Sequence, residues 1–178
     1  STTVTRSFTV SGNGGLQSLL DSEDLGAGDK VVVQGTVVGD VIVGANDAGV
    51  LIVGAPGAQI AGNVTVQGGA SDVIFQKLVI AGNLLVQGAS RFTVTDSVVT
   101  GLSTLQGAAN AQLTDSSLGG VVLQGASAGT VIQNNGIGGS VGVQVAAGSS
   151  VTGLQLARNT FSASTGIVLD AAAAGRIR

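Results

Sequence analysis

The sequence predicts an all-β solenoid, a parallel β-helix of about seven coils with a capping helix at its N-terminal end. Three observations carry that expectation. The chain nearly repeats itself after twenty residues: Ile60-Ala61-Gly62-Asn63 returns as Ile80-Ala81-Gly82-Asn83, and Val66-Gln67-Gly68 as Val86-Gln87-Gly88. Aligning on the Gln that follows each apolar run gives Gln67, Gln87, Gln106, Gln124 and Gln144, at spacings of 20, 19, 18 and 20. The composition suits short strands: 44% of residues are hydrophobic but only 2% aromatic, and 30 glycines punctuate the Val, Ile and Leu runs.

In chain order, Ser7-Phe8-Thr9-Val10 alternates polar and apolar residues and reads as a strand. Asn13-Gly14-Gly15 is turn material. Leu16, Leu19 and Leu20 then fall at helical spacing with Asp21, Glu23 and Asp24 facing elsewhere, so one short amphipathic helix is expected over Leu16 to Leu25, ended by Gly26-Ala27-Gly28-Asp29. Residues 1–30 thus form an N-terminal strand and capping helix, and 31–178 the β-helix, within one domain. Val31–Val33, Val41–Val43 and Leu51–Val53 open the solenoid. Two further columns then accompany the Gln column. One is polar, at Gln76, Asp96, Asp115, Asn134 and Arg158, and the other apolar, at Val79, Val99, Leu118, Ile137 and Phe161.

The period has a physical cause. A strand of four or five residues cannot bury its apolar face alone. Stacked coils give each strand parallel neighbours about 4.8 Å above and below, so inward Val, Ile and Leu form continuous columns. Like then lies over like, and Val66, Val86, Leu105, Leu123 and Val143 are expected as one interior column. Asn, Gln and Ser can hydrogen-bond along the stack. A leucine-rich repeat would need Leu-x-Leu-x-x-Asn and a helical leg, and a left-handed β-helix a strict six-residue repeat. Neither pattern occurs.

The segments Thr95-Asp96-Ser97-Val98-Val99, Thr114-Asp115-Ser116-Ser117-Leu118, Gln133-Asn134-Asn135-Gly136-Ile137 and Arg158-Asn159-Thr160-Phe161 resemble the polar turn between the second and third strands of a coil in the right-handed parallel β-helix repeat family, the pectin-lyase-like superfamily. The expected helix is similar to the cap that often plugs the N-terminal end in that family. The resemblance implies the fold over nearly the whole chain. It leaves activity open, because the family holds lyases, hydrolases, epimerases, adhesins and phage fibres.

For catalysis, hydrolysis on this fold implies paired carboxylates, and lyases of the family imply Asp clusters for Ca²⁺ with an Arg or Lys base. The alginate epimerase type implies a His and a Tyr, and the chain has neither. The best constellation is the column Asp96, Asp115, Asn134 and Arg158, of which a Ca²⁺-dependent activity would use Asp96, Asp115 and Arg158. Stacked, the two carboxylates would lie about 5 Å apart, close enough to share Ca²⁺. Their place in the chain better suits Asx-type turns, in which the carboxylate accepts a backbone N–H, since both sit in the turn position filled elsewhere by Gln76 and Asn134. Five of the ten acidic residues (Asp21, Glu23, Asp24, Asp29 and Asp40) lie in or near the cap and first coil, leaving few for a metal shell. No catalytic residue, cofactor or metal ligand is therefore assigned.

Composition narrows the partners. The formal charge is −3 with no basic patch, which argues against nucleic acid. No run of 18 apolar residues exists, which argues against a membrane span. Trp and Tyr, the usual sugar platforms, are absent, although polysaccharide stays a possible partner. The absence of Cys is compatible with export. The function expected is a non-catalytic structural module of a larger secreted or cell-surface bacterial protein, such as an adhesin or exoprotein. The alternatives are a polysaccharide lyase-like enzyme or an inactive relative, and a designed or consensus-like solenoid. Asp170 to Arg178 is too short and small to lid a triangular core, so flanking domains of the same chain or end-to-end self-association are expected at that end.

Overall fold

A computed structural model describes residues 5–170 and, as backbone, 173–177. The alternating start forms strand β1 (Ser7–Asn13), which pairs in parallel with β2 (Lys30–Val38), Phe8 against Val31 and Asn13 against Val38. The register shifts between Val10 and Gly12, so each of these strands turns a corner and serves two faces. Between them, helix α1 (Gly15–Ser22) lies across the end of the stack with Leu16 and Leu20 buried. The helix ends before the expected Leu25, because Glu23 is already extended. Leu25 is still 2% exposed, held in the core by the following loop.

Beyond β2 each coil contributes three short parallel strands. The first face continues through Leu51–Gly54, Ile74–Gln76, Thr93–Thr95, Gln112–Thr114, Val131–Gln133, Val151–Ala157 and Ala173–Ile177. The second runs through Gln59–Ala61, Val79–Ile80, Val98–Val99, Ser117–Leu118, Gly136–Ile137 and Thr160–Phe161, and the third from Val41–Val43 to Thr165–Leu169. The result is an all-β parallel solenoid of about eight turns, close to the seven expected. Inside, Val66, Val86, Leu105 and Leu123 lie directly over one another. Phe75 lies under Val94 and packs edge-on against Phe92, with ring centroids 5.7 Å apart and planes tilted by 57°.

The repeated Ile-Ala-Gly-Asn marks the corner between the second and third faces. Coils approach there so closely that a Cβ on Gly82 would meet the Gly62 carbonyl oxygen at 2.5 Å. The Asn63 side chain accepts the backbone N–H of Asn83 at 2.9 Å, and Asn83 accepts that of Leu102 at 2.8 Å. Repetition of the corner is what allows each coil to bond the next.

Four expected columns need correction. Gln87, Gln106 and Gln124 do stack, but Gln144 pairs with Val122. Val145, not Val143, therefore completes the interior column, because Gly138 to Gly142 lengthen one corner. Thr95 pairs with Gln76, so Lys77, not Gln76, heads the polar column, and Ile80, not Val79, heads the apolar one. One extra glycine causes both slips: Gly68-Gly69 stands where the next coil has Gly88 alone. At the far end, 173–177 adds a strand on the first face, pairing with 151–157. The side chains of 171–178, on which the expectation of an unlidded core rests, lie outside the described residues.

Candidate functional surface

The first face presents a row of short rungs with the same six-residue plan. Asp72-Val73-Ile74-Phe75-Gln76-Lys77 is followed by Arg91 to Asp96, Asn110 to Asp115, Gly129 to Asn134 and Gly153 to Arg158. Alternate residues point inward, so Phe75 and Val94 are buried while Thr93 and Thr95 reach the surface. Each rung opens and closes on a left-handed residue. Asp72, Arg91 and Asn110 have φ of 61°, 53° and 57°, with Gly129 and Gly153 continuing that border. Lys77, Asp96, Asp115, Asn134 and Arg158 have φ between 49° and 57° on the other. Asn and Asp tolerate this conformation, and Gly more easily still. For Lys and Arg it is uncommon.

The sequence-derived trio falls on the trailing border, and only part of it is joined. Asp115 accepts a hydrogen bond from the Asn134 amide at 3.1 Å, and the Arg158 Nε donates to Asn134 Oδ1 at 2.8 Å. Asp115 and Arg158 thus meet through Asn134. Asp96 takes part in no side-chain hydrogen bond among the described residues, and no three His, Cys, Asp or Glu residues converge there. Asp96 and Lys77 instead edge a shallow groove of about 410 Å³ beneath the longer corner Ala55-Pro56-Gly57-Ala58.

The leading border escaped sequence reading. Arg91 clasps Asp72 of the previous coil with two parallel bonds, at 2.6 and 2.8 Å. Hydrogen bonding to Arg91 lowers the Asp72 pKa below the usual carboxylate range. With Ile74, Thr93, Asn110 and Gln112 the pair lines a depression of about 420 Å³. The five-residue interval from Asp72 to Lys77, Arg91 to Asp96 and Asn110 to Asp115 was the sequence signal for this border.

Just inside the trailing border runs a buried ladder. The Ser97 hydroxyl accepts Leu78 N–H at 3.2 Å, Ser116 accepts Ser97 N–H at 3.1 Å, and Asn135 accepts Ser116 N–H at 2.9 Å. Asn159 then accepts Asn135 N–H at 3.0 Å. The Ser hydroxyls donate to Thr95 and Thr114 carbonyls, and Asn135 to that of Leu113, so these buried polar atoms are satisfied.

Compared with known proteins, the chain matches no protein-family model and no curated relative. Among the described residues no helix is long and apolar enough to cross a membrane.

Proposed function

We propose that this chain is a non-catalytic structural module, a stiff solenoid segment of a larger secreted or cell-surface bacterial protein of the adhesin or exoprotein kind. The observation that supports this reading most is where the corner side chains go. Asn63 with Asn83, Ser97 through Asn159, and Asp115 with Asn134 and Arg158 all engage the neighbouring coil. Groups spent on holding coil to coil extend and stiffen a rod, and they are withdrawn from a substrate. The pectin-lyase-like resemblance of the Asp96 and Asp115 corners fits the same reading, since that family includes adhesins and fibres. The absence of Cys suits an exported chain.

The test is a screen of acidic polysaccharides for the ultraviolet absorbance of a newly formed unsaturated uronate, with and without Ca²⁺. No turnover is expected. Turnover that a chelator and Asp115→Ala both abolish would overturn the reading in favour of a lyase-like enzyme using Asp96, Asp115 and Arg158. Protease shaving of intact cells of the encoding organism should remove the module, and its survival there would contradict display at the surface.

A further inference from the structure

We propose that two copies of this chain pair laterally through their first faces, with the rods parallel and related by a two-fold axis along the rod. The distribution of charge carries the argument. Between Ala48 and Leu169 the chain has six charged side chains, Asp72, Lys77, Arg91, Asp96, Asp115 and Arg158. Every one stands at positive φ on a border of the first face. Across the same coils the outward positions of the second and third faces carry no charge: Val79, Val98 and Ser117 on one, Leu85, Thr104 and Val122 on the other. Lys77 holds a conformation that Gly would hold at less cost, and its side chain takes part in no hydrogen bond among the described residues, so the needs of the corner do not explain it.

A two-fold axis along the rod lays the leading border of one copy over the trailing border of the other, each coil meeting its own counterpart. Asp72 then faces Lys77, and Arg91 faces Asp96, each pair occurring twice by symmetry. Asp115 faces the Asn110 amide, while Asn134 and Arg158 face Gly129 and Gly153. No like charges meet. Between the borders Thr93 faces Thr95 and Gln112 faces Thr114, uncharged groups able to hydrogen-bond directly or through water. Antiparallel rods would set each border against itself. Registers centred on Lys77, Asp96 or Asp115 then bring like charges together. The remaining registers give no more opposite-charge contacts than the parallel pair, and all of them lose Asp115 to Asn110.

The contact would be modest. Five rungs of six residues stacked about 4.8 Å apart give roughly 400–500 Å² per copy, the low end for a specific interface, so a weak and salt-sensitive dimer is expected. The proposal stands apart from the structural reading above, since a lyase-like rod could pair in the same way.

Sedimentation velocity from about 10 to 500 μM, in low and high salt, tests it. A monomer–dimer equilibrium that salt weakens is expected. Lys77→Glu alone and Asp72→Lys alone should each weaken association by about tenfold or more, with circular dichroism unchanged. An equimolar mixture of the two variants should recover a heterodimer, because residue 72 of each copy again meets an opposite charge at residue 77 of the other. Lys77→Gly should melt no lower than the parent yet associate more weakly, which a purely structural Lys77 would not do. A parent that stays monomeric throughout, or dimers indifferent to Lys77→Glu, would overturn the proposal. Failure of the mixture to recover would overturn the parallel arrangement.

Discussion

The cap and the coils are stabilised by opposite strategies. In the cap, contacts are unique and unlike groups meet. Arg6 donates to Asp29 through its backbone N–H at 3.0 Å and through its guanidinium, bonds Glu23 at 3.0 Å, reaches the Asp24 carbonyl and lies over the Phe8 ring. In the coils, like lies on like: Val66 on Val86, Thr95 on Thr114, Gln106 on Gln124. The difference follows from the boundary condition. A middle coil has a copy of itself above and below, so one corner solution serves many times. The first coil has α1 and a loop in the place of such a neighbour, closing its core and tied down by charge-assisted bonds.

The comparison breaks most visibly at an interior column. Val86 is fully buried between Val66 and Leu105. Val86→Asp would place an unpaired carboxylate among apolar side chains, and a loss of at least about 4 kcal/mol is expected, enough to unfold the middle coils. Urea melts by circular dichroism check it, and a midpoint equal to the parent's would mean that the column assignment is wrong. One step down, Asn135→Ala removes both the acceptor for Ser116 N–H and the donor to the Leu113 carbonyl. A loss of about 2 kcal/mol is expected, because the buried Ser116 N–H is left without its acceptor.

The cap sharpens the contrast through pH. Hydrogen bonds from Arg6 hold the Asp29 carboxyl at about 2. Its contribution is therefore present above the unfolded Asp value near 3.9 and is lost as pH falls through about 2. Asp47 runs the other way. Burial raises its pKa, the Leu25 and Gly44 N–H groups oppose the rise, and Asp24 and Asp21 add to it. Its ionised form is thus disfavoured by folding, and stability falls as pH rises through its folded value. Mild acid should tighten the cap and strong acid release it. Hydrogen exchange of α1 and Leu25 amides against pH reads this directly, and a monotonic profile would refute it. Asp29→Ala should cost about 2 kcal/mol and erase the strong-acid loss.

How much of this was legible in the sequence also divides by region. The coil period could be read because stacking forces chemically similar residues into columns, as Gln87, Gln106 and Gln124 show. Its phase could not be read everywhere. A single extra glycine at Gly68-Gly69 and a longer corner at Gly138 to Gly142 shift the register without disturbing the apolar pattern, which is how Gln76, Val79 and Gln144 were misplaced. In the cap Leu16 and Leu20 announced the buried side of the helix. The Arg6 clasp had no such signal, since its partners lie 17 to 23 residues away and occur once. The left-handed borders were hidden for another reason: Lys77 and Arg91 are not residues from which positive φ is read.

The smallest effect runs against the parent sequence. A polar side chain interrupts one apolar interior column of the third face, which reads Val64, Leu84, Ser103, Val121, Val143. Ser103 is fully buried, and its hydroxyl is the buried side-chain polar atom without a hydrogen-bond partner among the described residues. An unsatisfied hydroxyl in an apolar column costs free energy on its own account, and its small side chain leaves contacts unmade with Leu84 and Val121. Ser103→Val removes the first penalty and repairs the second, so a gain of about 1 kcal/mol, or roughly 2–4 °C in melting temperature, is expected. Ser103→Ala separates the two, because it deletes the hydroxyl without filling space and should gain less. A variant order with Ala above Val would show that the coils leave no room for a branched residue there. The column would then be limited by the spacing of its neighbours rather than by the match of like with like.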